Sequence, residues 1–232
     1  REGWFLYDTG WKKLTCAETD YFLYAFILLI CAGIFAVEYR QDNPKDGFAR
    51  ILRTTRKGRS NTFFSKLGVA MGITLMAAIL YNLMDFCVVA SYYSLPSPRA
   101  PLYSLELFSS VDSSITVGGY WLVLVAVRCF AAVCLALIVA AISALTRKSF
   151  STLVTAGSGT LLPALLEKLD IPFARYVNYQ IVLGGYSLLN MSAKVNLGGM
   201  DWLFAIALLI GVALITVAVL FAAYRKYEKV EG

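Results

Sequence analysis

Side chains that commonly carry out chemistry are scarce in this chain. Its 232 residues include no histidine, and its five cysteines form no CxxC pair. Histidine is the commonest metal ligand and the side chain best suited to acid–base work near neutral pH, so its absence weakens both kinds of site. No activated nucleophile or paired catalytic carboxylates stand out either. We therefore predict no catalytic residue, no metal and no cofactor on this chain.

Two charged residues lie inside long apolar runs, where an ionised side chain is costly and usually faces a partner or a cavity. Asp85 lies about 10 Å from one end of its run and Arg128 about 12 Å from the facing end of the next, at the rise of an α-helix. Because the depths nearly match, we hypothesise an ion pair between them, assisted by Asn82 one turn away. The pair either fastens two helices together or belongs to a substrate path.

Small residues recur at four-residue spacing in the same two runs. Gly68 and Gly72 form a GxxxG motif in the first, and alanines line one face of the second, at positions Ala132, Ala136 and Ala140. Small residues allow helices to approach closely in lipid. The two sets indicate either packing within the chain or an interface between subunits.

The composition places these residues in a membrane protein. Hydrophobic residues make up 59% of the chain and charged residues only 16%, with a mean hydropathy of +0.66. Segments of about 20 apolar residues can cross a bilayer, and five stretches qualify: 21–37, 67–92, 120–145, 150–166 and 202–224. We predict an all-α polytopic fold with a transmembrane domain at 21–224. Residues 170–201 are too interrupted by glycine to span and suggest an outer re-entrant segment.

The basic residues indicate the orientation of these helices. Thirteen of the 21 lysines and arginines lie in 39–66, 146–149 and the tail 225–232, and cytoplasmic loops carry such an excess. This places the C-terminus in the cytoplasm and residues 1–20, with the first residue, outside the cell. The basic excess is explained by topology, and with no soluble platform we expect no nucleic-acid binding.

The segment 39–66 is the most informative polar stretch. Asn43-Pro44 suits the start of a helix, and Gly58 suits its end. Between them lies an apolar stripe at helical spacing, formed by Phe48, Ile51 and Leu52. Such a basic amphipathic helix either lies on anionic lipid headgroups or docks a cytoplasmic partner, and the physical pattern alone favours lipid.

Three features of this region together resemble the membrane subunit of a type-2 ABC exporter, the ABC-2 permease family. A span ends in Glu38-Tyr39, the basic run 51–59 follows, and Lys66 leads into the next span. The resemblance covers about residues 21–224 and would match the last five of the family's six helices, so we expect a first helix upstream. It implies that the loop is the coupling helix that contacts a cytoplasmic ATPase. The residues so assigned are Glu38, Phe48, Ile51, Leu52, Arg53, Arg56, Lys57 and Arg59.

The resemblance implies a permease subunit in a bacterial plasma membrane that works with a second permease chain, identical or not, and with membrane lipid around both. ATP and Mg²⁺ would belong to the separate ATPase, because the glycine-rich segment 155–160 lacks the lysine of a phosphate-binding loop. The alternative is a non-transporting membrane scaffold or immunity protein. A secondary carrier would usually show inverted repeats, and none is visible. The transported substrate stays open.

Overall fold

Every regular element that the structure describes is a helix. The computed structural model describes residues 9–15, 21–36, 56–108, 115–146, 148–169 and 201–229. The α-helices are α1 (Thr9–Thr15), α2 (Tyr21–Ala36), α3 (Arg56–Tyr92), α4 (Val117–Thr146), α5 (Ser149–Lys168) and α6 (Asp201–Lys229). Two short 3-10 helices, Leu102–Ser104 and Glu106–Phe108, lie between α3 and α4. The predicted all-helical class is confirmed.

Three of these helices contain stretches that are long and apolar enough to cross a membrane. They are Ser60–Tyr92 in α3, Val117–Thr146 in α4 and Leu209–Lys226 in α6. Tyr21–Ile34 in α2 is a shorter apolar helix. The chain therefore has the helices of a membrane protein, as its composition predicts, while the number of five spans stays a prediction.

The N-terminal end of α3 differs from the sequence-based expectation. The apolar segment 67–92 is only the later part of a 37-residue helix that begins at Arg56. Gly58 was expected to end a preceding helix, and this prediction is wrong because Gly58 lies inside α3. In the first turn a backbone N–H has no intrahelical acceptor anyway, so glycine there interrupts less than it would in the helix interior.

Helix α4 is the centre of the bundle. It contacts α2, α3, α5 and α6 along its length. Within an apolar window of 18 residues, 56% of the residues of α4 are buried, against 22% in α3 and 17% in α6. The helix can be approached from several sides because alanines and other small residues cover much of its surface.

One end of the bundle carries a second, smaller core, which we call the α1 cap (residues 9–15, 93–108 and 115–121). Trp11 is 3% exposed, and its indole Nε1 donates a hydrogen bond to the carbonyl oxygen of Pro96 at 2.9 Å. Gly10 lies so close to the chain after α3 that an added Cβ would be 2.9 Å from the carbonyl oxygen of Ser94. Pro101 and Thr116 close the connection between α3 and α4 with an antiparallel bridge. The cap thus ties α1 to the adjoining ends of α3 and α4.

Candidate functional site

The predicted ATPase contact lies mainly outside the described residues. Five of its members fall in the segment 37–55: Glu38, Phe48, Ile51, Leu52 and Arg53. The other three, Arg56, Lys57 and Arg59, lie in the first residues of α3, where the structure describes the backbone. The final basic residues of the predicted contact therefore lie on a helix that continues into the bundle.

Next to this segment, the C-terminal turn of α2 is held by two side chains from other helices. The Lys66 Nζ of α3 donates to the carbonyl oxygen of Ile34 at 3.2 Å. The Ser143 hydroxyl of α4 donates to the carbonyl oxygen of Ala32 at 2.8 Å, and Ser143 is fully buried. We call these four residues the α2 junction. It joins three helices where α2 approaches its end at Ala36.

Apolar and aromatic side chains surround the α2 junction. Phe63 and Leu67 of α3 are buried in one cluster with Ala140 of α4 and Ala223 of α6. The rings of Phe63 and Tyr224 lie 5.5 Å apart, which draws the C-terminal part of α6 to the same place. The polar contacts of the junction are therefore shielded by packing on the α4 and α6 side.

A second polar contact joins α3 and α4 deep within their apolar stretches. The Arg128 Nη1 donates to the side-chain Oδ1 of Asn82 at 3.2 Å. The Asn82 Nδ2 in turn donates to the carbonyl oxygen of Ala78 at 2.8 Å, which orients the amide toward the arginine. Arg128 is 2% exposed and Asn82 3%. Asp85 is half-buried one turn further along α3, and its pairing with Arg128 stays a prediction.

Helices α2 and α5 are also joined by hydroxyl groups. Tyr24 of α2 and Thr160 of α5 share a hydrogen bond between their hydroxyls, and the Thr160 hydroxyl also lies 2.7 Å from the carbonyl oxygen of Ala156. Earlier in α5, Thr155 and Ser158 are exposed although they lie in an apolar helix. Their hydroxyls donate to carbonyl oxygens of their own helix, so both can face lipid or water.

The two small-residue sets lie in different environments. Ala132, Ala136 and Ala140 are completely buried within the bundle. Gly68 and Gly72 are exposed, and a Cβ placed on either would meet no heavy atom within 4 Å in the part of the chain that the structure describes. The alanines therefore pack within this chain, whereas the glycines present an open surface of α3.

Several of these contacts were not predicted from the sequence. Tyr24 and Ser143 lie within apolar runs, and Thr160 is the last residue of the glycine-rich segment 155–160. Nothing in the spacing of these three hydroxyl groups indicates a partner. The sequence marks Lys66 as a residue that leads into a span, but nothing in it indicates a hydrogen bond to the backbone of another helix. A lone polar residue on a helix face that is otherwise made of small residues would have been a signal for such a contact between helices.

The described site offers hydrogen bonding, packing and a basic helix start. Among the residues with described side chains, no three His, Cys, Asp or Glu side chains lie together in a way that could hold a metal ion. In comparisons with known proteins, the chain matches no protein-family model, no curated protein and no solved structure to a significant degree.

Proposed function

We propose that this chain is the membrane-spanning permease subunit of an ATP-driven ABC exporter, which forms the substrate path and docks a separate cytoplasmic ATPase. The observation that carries the proposal is the basic start of α3. This helix has 37 residues, which corresponds to about 55 Å against about 30 Å of hydrocarbon in a bilayer. An untilted helix of this length extends well past the membrane. Its first residues, Arg56, Lys57 and Arg59, would then reach a cytoplasmic protein.

The same geometry supports the proposed topology. In it, α2 to α6 are five spans of a multi-pass protein of the bacterial plasma membrane. Helix α5 has 20 residues, so it measures about 30 Å and suits the thickness of the hydrocarbon. The end with Lys66, Ser143 and Tyr224 lies on the cytoplasmic side, and the α1 cap lies outside.

The substrate path in this proposal lies between two permease chains. The exposed hydroxyl residues of α5, Thr155 and Ser158, are candidates for lining it, because polar groups are otherwise rare on the outside of an apolar bundle. A second chain would meet the open surface of α3 around Gly68 and Gly72, where backbones can approach closely.

The test is recovery of an ATPase with the full chain from gently solubilised membranes. We expect a stoichiometric ATPase to co-purify with the native chain. Charge reversal of Arg53, Arg56 and Arg59 to glutamate should abolish this recovery, since the proposed contact depends on those residues. The matched control is charge reversal of three basic residues near the C-terminus, Arg225, Lys226 and Lys229, which should leave the recovery unchanged.

Two outcomes would contradict the proposal. If no ATPase accompanies the native chain in any mild detergent, the non-transporting scaffold or immunity protein becomes the better explanation. If both charge reversals reduce recovery equally, the association depends on general charge and not on the loop before α3.

A further inference from the structure

Aromatic and basic side chains lie together on the outside of the bundle where the last turns of α6 contact α3. We call this set the α3–α6 surface, and its members are Phe64, Phe221, Tyr224, Arg225 and Lys226. Phe64 is 58% exposed and Phe221 54%, and both basic residues are exposed as well. Charge and outward-facing apolar area therefore occur side by side at this end of the bundle.

The aromatic rings hold the two helices together at this surface. The ring centroids of Phe64 and Tyr224 lie 5.6 Å apart, and that of Phe63 lies 5.7 Å from Phe64. Phe63 is 1% exposed and belongs to the buried cluster that α3 shares with α4 and α6. The exposed Phe64 ring thus rests on a buried neighbour. A surface held in place in this way loses little conformational freedom when it binds a ligand.

The Arg225 guanidinium lies at the apolar edge of the surface. Its Cζ is 4.4 Å from the ring centroid of Phe221, which precedes Arg225 by one helical turn. Basic side chains at the end of a membrane helix usually extend away from the hydrocarbon, whereas this one lies back over an exposed ring. A guanidinium stacked by its face keeps its N–H groups at the edges of its plane, where they can donate to two oxygens of one phosphate.

An exposed apolar strip continues from Phe221 along α6 toward the middle of the helix. Val217 and Leu214, four and seven residues before Phe221, lie on the same helix face and are 61% and 65% exposed. A ligand that contacts both the basic residues and this strip must have an anionic end and an apolar end.

The charges of this region favour one class of headgroup. The described side chains of residues 60–67 and 209–226 include no aspartate or glutamate. The ammonium group of a zwitterionic lipid would therefore meet cations here and no acidic partner, whereas an acidic headgroup carries no such group. In the proposed topology this end lies in the cytoplasmic leaflet, whose surface is made negative by acidic lipids.

We propose that the α3–α6 surface is a binding site for an acidic phospholipid. Arg225 and Lys226 bind the phosphate, and the rings of Phe64 and Tyr224 lie beside the boundary between headgroup and acyl chain, where aromatic residues are favoured. One acyl chain follows the strip on α6. The site needs no ATPase and no second chain, so it is independent of the proposed function.

The site is tested by native mass spectrometry of the full chain in a neutral detergent, with phosphatidylglycerol titrated against phosphatidylcholine of the same acyl chains. We expect the dissociation constant for phosphatidylglycerol to be lower at least about tenfold, since each basic residue adds to the attraction of an acidic lipid. The double variant Arg225→Gln with Lys226→Gln should lose this preference. The matched control is Arg99→Gln with Lys168→Gln, which removes the same two residue types from exposed positions outside the surface and should keep the preference.

Four outcomes would overturn the proposal. The first is equal affinity of the native chain for the two lipids, and the second is an equal loss of preference in both double variants, which would indicate general charge attraction. The third is displacement of phosphatidylglycerol by the same concentration of glycerol 3-phosphate, which would indicate a site for a soluble phosphate. The fourth is native lipid binding by the Arg225 and Lys226 variant together with loss of a co-purified ATPase, which would make the surface a protein contact.

Discussion

At the scale of single residues, the contact between Asn82 and Arg128 is the most informative. A guanidinium that is 2% exposed in an apolar bundle must have hydrogen-bond acceptors nearby, because its desolvation is costly. The Asn82 amide supplies one acceptor and is itself oriented by its bond to Ala78. The Asn82 side chain thus links the backbone of α3 to the arginine of α4 by hydrogen bonds.

Replacement of Asn82 by alanine should destabilise the bundle. We expect Asn82→Ala to lower the free energy of unfolding by about 1–2 kcal/mol, since an acceptor for a buried charge is removed and hydrogen bonds between membrane helices are of this size or smaller. The measurement is the rate at which the buried thiols of Cys31, Cys129 and Cys134 react during heating, in a background in which Cys16 and Cys87 are serine.

The matched control is Asn61→Ala, which removes the same side chain from an exposed position on the same helix. It should change the free energy of unfolding by less than about 0.5 kcal/mol. Equal effects of the two substitutions would show that the Arg128 contact adds nothing to stability.

At the scale of elements, the α1 cap shows how a seven-residue helix can be held at the end of a bundle. Helix α1 is too short to be stable alone, so it depends on contacts with the chain after α3. Trp11 provides both apolar burial and a hydrogen bond, and Gly10 allows the close approach to residues 93–95. A cation–π contact between the Lys13 ammonium and the ring of Tyr93, 4.6 Å apart, adds to it.

The close approach at Gly10 leads to a specific prediction. Gly10→Ala should lower the free energy of unfolding of the cap by about 1–3 kcal/mol, because the new methyl group would lie 2.9 Å from a backbone oxygen and a side chain must also move. Limited proteolysis between residues 1 and 20 is the measurement, and cleavage there should become faster. Gly33→Ala, at a helix position with open space around it, serves as the control and should leave cleavage unchanged.

The elements were predictable to different degrees. The segment 120–145 corresponds closely to α4, because an uninterrupted apolar run of this length has few other interpretations. The extension of α3 back to Arg56 was missed, since Arg56, Lys57 and Gly58 give no hydropathy pattern and glycine suggests a helix end. Helix α1 was missed as well. Its stability depends on contacts with residues more than 80 positions away, which composition and spacing do not contain.

The candidate site was also predictable only in part. The depths of Asp85 and Arg128 in their apolar runs predicted an ion pair assisted by Asn82. The structure describes the contact between Arg128 and Asn82, and the pair with Asp85 stays a prediction. The α2 junction was not foreseen, because Lys66 and Ser143 bond to backbone carbonyls, and every residue of the chain has such a group. Side chain to backbone contacts between distant helices therefore leave no distinctive residue pair in the sequence.

At the scale of the whole molecule, buried residues are concentrated in α4, whereas most described residues of α3 and α6 are at least partly exposed. Many large apolar side chains of α3 are exposed, including Met76, Leu80 and Met84. Such a surface is compatible with lipid. Small residues favour close approach of helices in a membrane, so in the proposed dimer the contact on α3 would lie at Gly68 and Gly72.

The proposed pairing of two chains can be tested at this surface. Replacing both Gly68 and Gly72 by isoleucine should raise the dissociation constant of the dimer at least about tenfold, which corresponds to about 1.4 kcal/mol of association free energy. The stability of the single chain should not fall, because a Cβ at either glycine would meet no heavy atom within 4 Å in the described part of the chain. The measurement is the dimer fraction of labelled chains in lipid vesicles of increasing dilution.

Gly211→Ile is the matched control, since Gly211 of α6 also has open space around it but lies outside a GxxxG motif. A dimer fraction that responds equally to both replacements would contradict an interface centred on Gly68 and Gly72. A dimer that is unaffected by either would place the subunit contact elsewhere.

The central position of α4 also has a consequence for biosynthesis. Helices α2 and α3 are synthesised before α4, the helix against which both pack. Their surfaces that face α4 are therefore not yet covered by it when they enter the membrane. Insertion of Arg128 then carries a cost of about 2.5–3.5 kcal/mol at the centre of a span. Asn82, on the helix made immediately before, is already present to accept its hydrogen bond. Because α3 precedes α4 in the chain, the Asn82 acceptor is in the membrane before the charged Arg128 is inserted.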